Sequence, residues 1–301
     1  MFIIKNKKIF ISISAVLVLL SIVSLFVFSL NIGIDFKGGS LTEVVYKENR
    51  PPQSDLEDAF KVIDFGSVLI QPTGDLGYIT KSSDLNEEQH SLLLDTLSQG
   101  GRSLLEEKDF NSIGPSVGHE LTRKAIIAII LVSLAIIFFI AFAFRKVSKP
   151  VSSWKYGLMA IIALLHDVII PVGIFTLLSH FYGAEIDTLF VVAVLTILGL
   201  SVSDTIVIFD RIRENLKNRN KDSFEETVGK SLDQSYMRSI FTSVTVIIVL
   251  LSLFFFGPES TKYFALMLTA GMFFGTYSSI FLASPLLVLV EKRQKQGIEN
   301  L

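Results

Sequence analysis

The stretch GLSVSDTIVIFDRIREN, residues 199–215, places a carboxylate inside an apolar run. Asp204 follows a long and almost purely apolar segment, and the apolar TIVIF comes directly after it. An ionisable side chain within a membrane span costs about 2.5–3.5 kcal/mol on insertion scales, so its presence calls for a functional reason. This stretch therefore indicates both a membrane-spanning helix and a candidate site.

Six apolar segments of the chain are long enough to cross a bilayer, which takes about 20 helical residues. Of the 301 residues, 50% are hydrophobic and only 19% are charged, against about 25% charged in typical soluble proteins. The first segment follows three lysines but is too long for the apolar part of a signal peptide, so a retained anchor is expected. The predicted spans are residues 9–30, 125–144, 156–178, 187–209, 239–256 and 263–290.

Lysine and arginine are distributed unequally between two sets of connecting segments. Residues 1–8, 145–155, 210–238 and 291–301 hold 17 of them, whereas the much longer second set, dominated by residues 31–124, holds 10. Positive charge concentrates on the cytoplasmic side of membrane proteins. We therefore expect both termini in the cytoplasm and residues 31–124 on the outer side.

Residues 31–124 are expected to form a small α+β domain outside the membrane. The pattern runs strand, helix, strand, strand, helix, strand, which is typical of a ferredoxin-like antiparallel sheet with its helices on one face. The first helix is predicted to begin at Ser54, with Glu57 completing a capping box, and the second at Asp84. A last short strand is predicted near residues 109–113.

The fold class is thus a polytopic α-helical membrane protein with six transmembrane helices and this extracytoplasmic domain between the first two. A helix is also predicted in the cytoplasmic loop, with Ser223 and Glu226 in a capping box. It lies against the membrane or a partner, or it packs one face on the spans. The predicted parts are the N-terminus with the first span (1–30), the outer domain (31–124), the bundle (125–290, with the loop 210–238) and a cytoplasmic tail (291–301).

Asp204 lies five residues before Phe209, where the predicted fourth span ends. Thr196, Gly199 and Ser203 recur at helical spacing, so one stripe of this span is small and polar and is expected to face other helices. The carboxylate is either interfacial and in water or a functional group that binds and releases a proton. The polar stripe and the apolar residues after it favour the second interpretation.

His166 and Asp167 fall in the middle of the predicted third span, where Pro171 and Gly173 are expected to loosen the helix. Adjacent helical residues point about 100° apart, so the two side chains are expected to have different partners. Three roles remain open for them: a structural pair that bonds across helices, a part in proton movement, or a metal site. The metal site is disfavoured because no carboxylate or histidine follows at i+3 or i+4.

Arg238 opens the predicted fifth span and shares a face with Thr242 and Thr245. It is either an anchor at the cytoplasmic surface or an inward-turned partner of Asp204. Both residues lie near the cytoplasmic ends of consecutive antiparallel spans. A guanidinium nearby would favour the ionised carboxylate, so such a pair would couple proton entry to a change of shape.

The composition argues against several other classes of function. The net charge of −2 gives no sign of nucleic-acid binding, and the absence of Cys excludes disulfides and thiolate metal sites. Gly38 and Gly39 lack the Lys-Ser/Thr that a nucleotide-binding loop requires. We therefore expect no cofactor, no metal and no enzymatic activity, and an intramembrane hydrolase built on His166 and Asp167 lacks a convincing nucleophile.

Five motifs together resemble the SecF family of bacterial protein translocase subunits, within the RND superfamily of proton-driven transporters. Their order and the six-span plan agree over nearly the whole chain. Ser203 and Lys37 depart from the family pattern, where many relatives have Asn and Thr. The motifs are GIDFKGGS (33–40), SIGPSVGHELTRKA (112–125), LHDVIIPVGIF (165–175), LTILGLSVSDTIVIFDRIREN (195–215) and RSIFTSVTVIIVLLSLFFFG (238–257).

The resemblance implies a multi-pass protein of the bacterial cytoplasmic membrane that acts with a separate SecD beside the SecYEG channel. It implies use of the proton-motive force to complete preprotein export, together with YajC-like and YidC-like accessory proteins. It also implies that Asp204 carries the proton and works with Arg238. The expected supporting polar residues are His166, Asp167, Ser203, Thr196 and Thr242.

The alternative is a half-transporter of the same superfamily that exports lipids or small molecules. Its membrane physics would be the same. Only the short segment SHFYGAEID connects the third and fourth predicted spans. A second outer domain, which could help to enclose a pocket for small molecules, is therefore not expected there. This observation favours protein export.

Overall fold

The computed structural model describes residues 2–63, 68–144, 152–218 and 222–299. The chain divides into two compact units. One consists of Met1–Asn31 together with Ile127–Leu301, and the other is Ile32–Ile126.

Six helices among the described residues are long and apolar enough to cross a membrane, which confirms the predicted number. We call them spans one to six in chain order. Span six changes from α-helix to a π-helical turn and back, and the short helices Phe2–Lys5 and Glu259–Thr261 precede spans one and six. The spans are Lys7–Val27, Pro115–Ala143, Ser153–Tyr182, Thr188–Asn218, Phe224–Phe256 and, for span six, Lys262–Ser278, Ser279–Ala283 and Ser284–Glu299.

Span five is longer than predicted because it is continuous with the helix expected in the preceding loop. It begins after Ser223, whose side chain accepts from the backbone N–H of Glu226 in the predicted capping box. Phe224, Val228 and Leu232 are buried in the bundle. This part of the helix therefore packs one face on the spans of its own chain.

Spans three and six are the most buried helices of the bundle, and span four follows them. Span six contacts spans three, four and five. At Gly271 it lies so close to span four that a side chain there would overlap Ile197. The small residue at this position allows the two helices to approach closely.

The second unit contains a four-stranded antiparallel sheet and two helices, Gln53–Val62 and Glu87–Leu97. A short helix, Ile34–Lys37, and two two-residue strands, Asn31–Ile32 and Glu185–Ile186, lie outside this pattern. The strands of the sheet, in spatial order, are Leu69–Thr73, Gly77–Ser82, Gly39–Tyr46 and Leu105–Ile113.

The core of this unit lies between one face of the sheet and both helices. Val44 and Tyr46 from the sheet pack with Leu56 and Leu93 from the helices. The Tyr46 hydroxyl donates to the carbonyl of Leu97 at 2.9 Å, and burial, with a smaller contribution from Tyr78, raises the pKa of this phenol to about 12. Both helices therefore share one side of the sheet.

The predicted helix starts in this unit were wrong by one or more residues. The first helix begins at Gln53, whose amide donates to Glu57 at 2.7 Å, so Glu57 does not complete a capping box with Ser54. The second helix is capped by Asn86 rather than Asp84, because Gln89, three residues after Asn86, returns the capping-box bond.

The last strand was predicted near residues 109–113, but it extends over Leu105–Ile113. It pairs with the full length of Gly39–Tyr46, and a shift of register between Glu43 and Val44 accommodates the extra length. A bulge of this kind disturbs the alternation of side chains that identifies a strand in sequence.

Candidate functional site

Span four holds the Asp204 side chain half-buried in the bundle. Its Oδ2 accepts a hydrogen bond of 3.1 Å from the hydroxyl of Thr276 on span six. The Thr276 hydroxyl is in turn bonded to that of Ser243 on span five. A chain of hydroxyl groups thus connects the carboxylate to both neighbouring spans.

Arg238 does not form the ion pair with Asp204 that was one of the two predicted arrangements. Its side chain is exposed, and no carboxylate lies within 4.0 Å of it among the described residues, although it is near enough to act on Asp204 electrostatically. The neighbouring Ser239 and Ser243 are buried. Because Arg238 precedes Ser239 by one residue, it points about 100° away from the buried face.

Asp167 of span three is completely buried and has three hydrogen-bond partners. Its Oδ2 accepts from the hydroxyls of Ser201 on span four, at 2.5 Å, and of Ser278 on span six, at 2.6 Å. Its Oδ1 lies 2.8 Å from Nδ1 of His166. The expectation that these adjacent side chains have different partners was wrong, because they bond to each other, while Asp167 alone also bonds across helices.

The segment of span six from Gly275 to Ser279 serves both carboxylates. Thr276 donates to Asp204, and Ser278 donates to Asp167 two residues later. Gly275 lies beside this arrangement, and a Cβ atom there would meet Oδ2 of Asp167 at an ordinary contact distance of 3.8 Å. A movement of span six would therefore change the surroundings of both acidic groups together.

The π-helical turn of span six, Ser279–Ala283, follows directly on this segment. The Ser279 hydroxyl is bonded to that of Thr205 on span four at 2.9 Å, and the Ser284 hydroxyl donates to the Ser279 carbonyl at 3.1 Å. Single π turns are frequent at functional sites because they re-aim side chains within a helix. Here the turn directly follows the residues of span six that donate hydrogen bonds to Asp167 and Asp204.

The three remaining predicted residues do not contact either carboxylate. Thr196 and Thr242 donate to carbonyls of their own helices, those of Val192 at 2.7 Å and Arg238 at 2.9 Å. Ser203 is exposed, as is Gly199. The prediction that the small polar stripe faces other helices is therefore wrong within this chain, because no helix of the bundle covers it among the described residues.

Hydroxyl residues of spans five and six were missed as candidates. Thr276 and Ser278 occur in the polar run TYSS, inside an otherwise apolar span. Ser239 and Ser243 continue a stripe of buried serines on span five that recurs every four residues from Ser231. A search for hydroxyl groups at helical spacing could have found both. The described residues include no group of three or more His, Cys, Asp or Glu side chains that could hold a metal ion.

Residues 95–293 match the family described as protein export membrane protein SecD/SecF, C-terminal. The protein translocase subunit SecF of Thermobaculum terrenum is 42% identical over 97% of this chain and 94% of that protein. The SecF subunit of Anaerolinea thermophila is 33% identical over 95% of this chain and 92% of that protein.

Solved structures similar to this fold include two of SecDF. The crystal structure of SecDF from Thermus thermophilus, a translocon-associated membrane protein, has a TM-score of 0.81 and 29% identity over 96% of this chain. The super-membrane-facing form of SecDF has a TM-score of 0.70 and 30% identity over 99% of this chain. The chain spans 38% and 39% of the length of those SecDF chains.

Proposed function

Because this chain belongs to the SecF group of the SecD/SecF family, subunits of the Sec protein-export machinery, we propose that it uses the proton-motive force to complete preprotein export. The observation that carries this proposal is the half-buried Asp204, bonded through Thr276 to Ser243. We place the protein in the bacterial cytoplasmic membrane with both termini in the cytoplasm. The unequal distribution of Lys and Arg supports that orientation.

The proposed cycle begins with a proton that neutralises the carboxylate of Asp204. The ionised group can only accept hydrogen bonds, whereas the protonated group also donates one, so its bond with Thr276 can be rearranged. Moving one charge across 100 mV releases about 2.3 kcal/mol. That energy shifts a two-state equilibrium by about 50-fold, enough to drive a change in the packing of spans four, five and six.

We further propose a separate SecD chain as the partner that covers the exposed polar face of spans four and five. Gly199, Ser203, Arg238 and Thr242 are exposed there, and such groups are costly against lipid. A partner helix would shield this face and could offer a group to Arg238. The similarity to SecDF chains, which are more than twice as long, supports a complex of this composition.

The outer domain, residues 31–124, is proposed to be ferredoxin-like and extracytoplasmic. The order of its four strands and the position of both helices on one face support this assignment. In the proposed cycle it moves with the bundle and acts on the preprotein as it emerges from SecYEG. Accessory proteins of the YajC and YidC kind are proposed as neighbours.

The chain is a transport component, and we propose that it has no catalytic activity of its own. The relatives are protein translocase subunits, which favours a preprotein over a lipid or small molecule as the cargo. Asp204 and Arg238 are the proposed proton-coupling residues. The proposed supporting residues remain His166, Asp167, Ser203, Thr196 and Thr242. Of these residues, only His166 and Asp167 form side-chain hydrogen bonds in the buried core of the bundle.

The proposal is tested by replacing Asp204 with Asn in membrane vesicles that contain the complete export machinery. We expect the variant to lose the stimulation of preprotein release by a proton gradient, because an amide, unlike a carboxyl group, does not ionise near neutral pH. Release driven by ATP alone should remain. The assay follows the protected preprotein with and without the gradient.

Asp210→Asn is the matched control for this experiment. Asp210 lies on the same span, is exposed and pairs with Arg213 at 3.0 Å, so the same substitution there should leave the stimulation intact. Stimulation that persists in Asp204→Asn would refute the proton-carrier role.

A further inference from the structure

Among the buried polar atoms of the bundle that have no hydrogen-bond partner in the described residues, two lie on neighbouring spans. They are Nε2 of His166 on span three and Oγ of Ser14 on span one. The two residues are 3% and 2% exposed. A buried polar atom without a partner costs about 1–3 kcal/mol, so such atoms in native proteins are usually bonded to ordered water.

Helix geometry places these two atoms at the same level of one interface. Spans one and three are parallel, since Ser24 bonds to Gly173 and Asn31, further along, bonds to Ser179. Gly173 touches span one at Ser21. Seven residues earlier on each span are His166 and Ser14, and seven residues return a helix to within about 20° of the same face.

Span six is the third helix that packs around His166 and Ser14. The ring of Tyr277 lies nearly parallel to that of His166, with centroids 6.1 Å apart, and its hydroxyl donates to the carbonyl of Phe10 at 3.4 Å. Phe10 is one helical turn before Ser14. The apolar edge of Phe274 also faces the imidazole, at 6.3 Å.

The ionisable groups around His166 come from three spans. Asp167 is its neighbour and hydrogen-bond partner on span three, Asp204 of span four acts on Asp167, and Tyr277 faces it from span six. Span one contributes hydroxyl and carbonyl groups here and no charged side chain between residues 9 and 27. The nearby charged groups are therefore carboxylates.

We propose that a water molecule bridges Nε2 of His166 to the hydroxyl of Ser14, and that this place is a second proton-binding site of the bundle. In the neutral imidazole, the N–H group at Nδ1 donates a hydrogen bond to Asp167, so Nε2 carries the lone pair that can accept one. A hydronium ion at the bridging position transfers its proton to Nε2 and becomes water. The imidazolium then pairs with the Asp167 carboxylate, so the pair changes from one negative charge to none.

This inference deepens the proposed function, on which it rests, because it adds a second proton carrier to the same bundle. Span six connects the two carriers through Ser278 on Asp167 and Thr276 on Asp204. Occupation of one site therefore affects the hydrogen bonds at the other.

The site is tested by nuclear magnetic resonance on the full chain with its SecD partner in lipid bilayers, with ¹⁵N-labelled histidine. The His166 signals are assigned by their loss in His166→Asn. We expect polarisation transfer from water to Nε2, and a change of Nε2 from acceptor to protonated nitrogen as the pH is lowered. Absence of the water transfer, or one protonation state throughout, would overturn the proposal.

Ser14→Ala and Ser24→Ala provide a matched pair of variants on the same face of span one. Ser24 has its own partner, the Gly173 carbonyl at 3.2 Å, so its removal should leave the His166 signals unchanged. Ser14→Ala should abolish the water transfer. Unchanged transfer in Ser14→Ala would exclude the bridging position.

Thermal unfolding gives a second measurement that does not depend on the spectra. If no water lay between His166 and Ser14, removal of the unpaired Ser14 hydroxyl would leave the melting temperature unchanged or raise it. The bridging water predicts a lower melting temperature for Ser14→Ala. An unchanged or higher value would count against the site.

The resonance measurements need no export activity, so they separate this inference from the proposed function. If Asp204→Asn retained gradient stimulation while the water transfer to His166 persisted, the role of Asp204 would be refuted and the His166 site would be supported. If Asp204→Asn lost the gradient stimulation but the wild-type protein showed no water transfer to His166, the role of Asp204 would be supported and the His166 site would be refuted.

Discussion

At the scale of single residues, the two carboxylates of the bundle are held in different ways. Asp167 is fully buried and accepts from Ser201, Ser278 and His166, so its donors are all contributed by the protein. Asp204 is half-buried and accepts from the hydroxyl of Thr276, with the hydroxyl of Ser239 also close to it. The less saturated and more accessible group is the better candidate for rapid proton exchange, and the saturated group is better suited to hold spans together.

Ser278→Ala is expected to destabilise the bundle, because it removes one of the donors to a carboxylate that water cannot reach. Loss of a partner by a buried charged group costs about 1–3 kcal/mol or more. The midpoint of thermal unfolding in detergent measures the effect. Ser252→Ala is the control, since that exposed hydroxyl bonds only to Ile248 of its own helix. Equal melting temperatures for the two variants would contradict the assigned role of Ser278.

At the scale of the helices, contacts through small residues set the arrangement of the spans. Gly173 brings span three against span one, and Gly271 brings span six against span four. The hydroxyl groups on these spans can reach across only because the backbones lie this close. The polar network and the glycine contacts are therefore parts of the same packing.

Gly173→Ala is expected to separate spans one and three, because the added Cβ would lie 2.7 Å from the Cα of Ser21. Overpacking of this kind costs about 1–3 kcal/mol, and backbone atoms cannot turn aside as a side chain can. Thermal unfolding of the complex in detergent provides the measurement.

Gly157→Ala on the same span serves as the control for that substitution. Its Cβ would meet only Ile140, at an ordinary contact distance of 3.7 Å, so little change is expected. If Gly173→Ala were as stable as Gly157→Ala, the close contact with Ser21 would be refuted.

At the scale of the whole molecule, the chain has two units with separate cores. The unit Ile32–Ile126 buries Val44, Tyr46, Leu56 and Leu93 within itself. The unit that contains the bundle packs through spans three, four and six. The proposed proton binding belongs to the bundle and the proposed action on a preprotein to the α+β unit, so the proposed coupling requires that a change in the spans be transmitted to residues 32–126.

Residues 32–113, expressed alone, are expected to fold, because the hydrophobic core of this unit is contributed entirely from within that range. A single cooperative transition on heating, followed by circular dichroism, would be the expected result. A fragment without cooperative unfolding would show that this core depends on the spans. The variant Leu56→Ala, which empties a fully buried position, should lower the midpoint by an amount equivalent to about 2–5 kcal/mol.

Sequence by itself determined the six spans, the presence of an α+β domain between the first two of them and the family. These depend on apolar runs, on periodicity and on ordered motifs, all of which are local along the chain. It also singled out Asp204, His166 and Asp167, because an ionisable group in an apolar run is conspicuous whatever surrounds it.

Only the tertiary structure decided which groups meet. Asp204 bonds to Thr276 rather than forming an ion pair with Arg238. Asp167 bonds to serines of two other spans. Oγ of Ser14 and Nε2 of His166 are buried without a hydrogen-bond partner among the described residues. Serine and threonine are tolerated at many positions of a membrane helix, so their presence carries little information along the chain. The angle at which each helix turns them toward a neighbour, set by packing at glycines far away in sequence, determines whether they form a site.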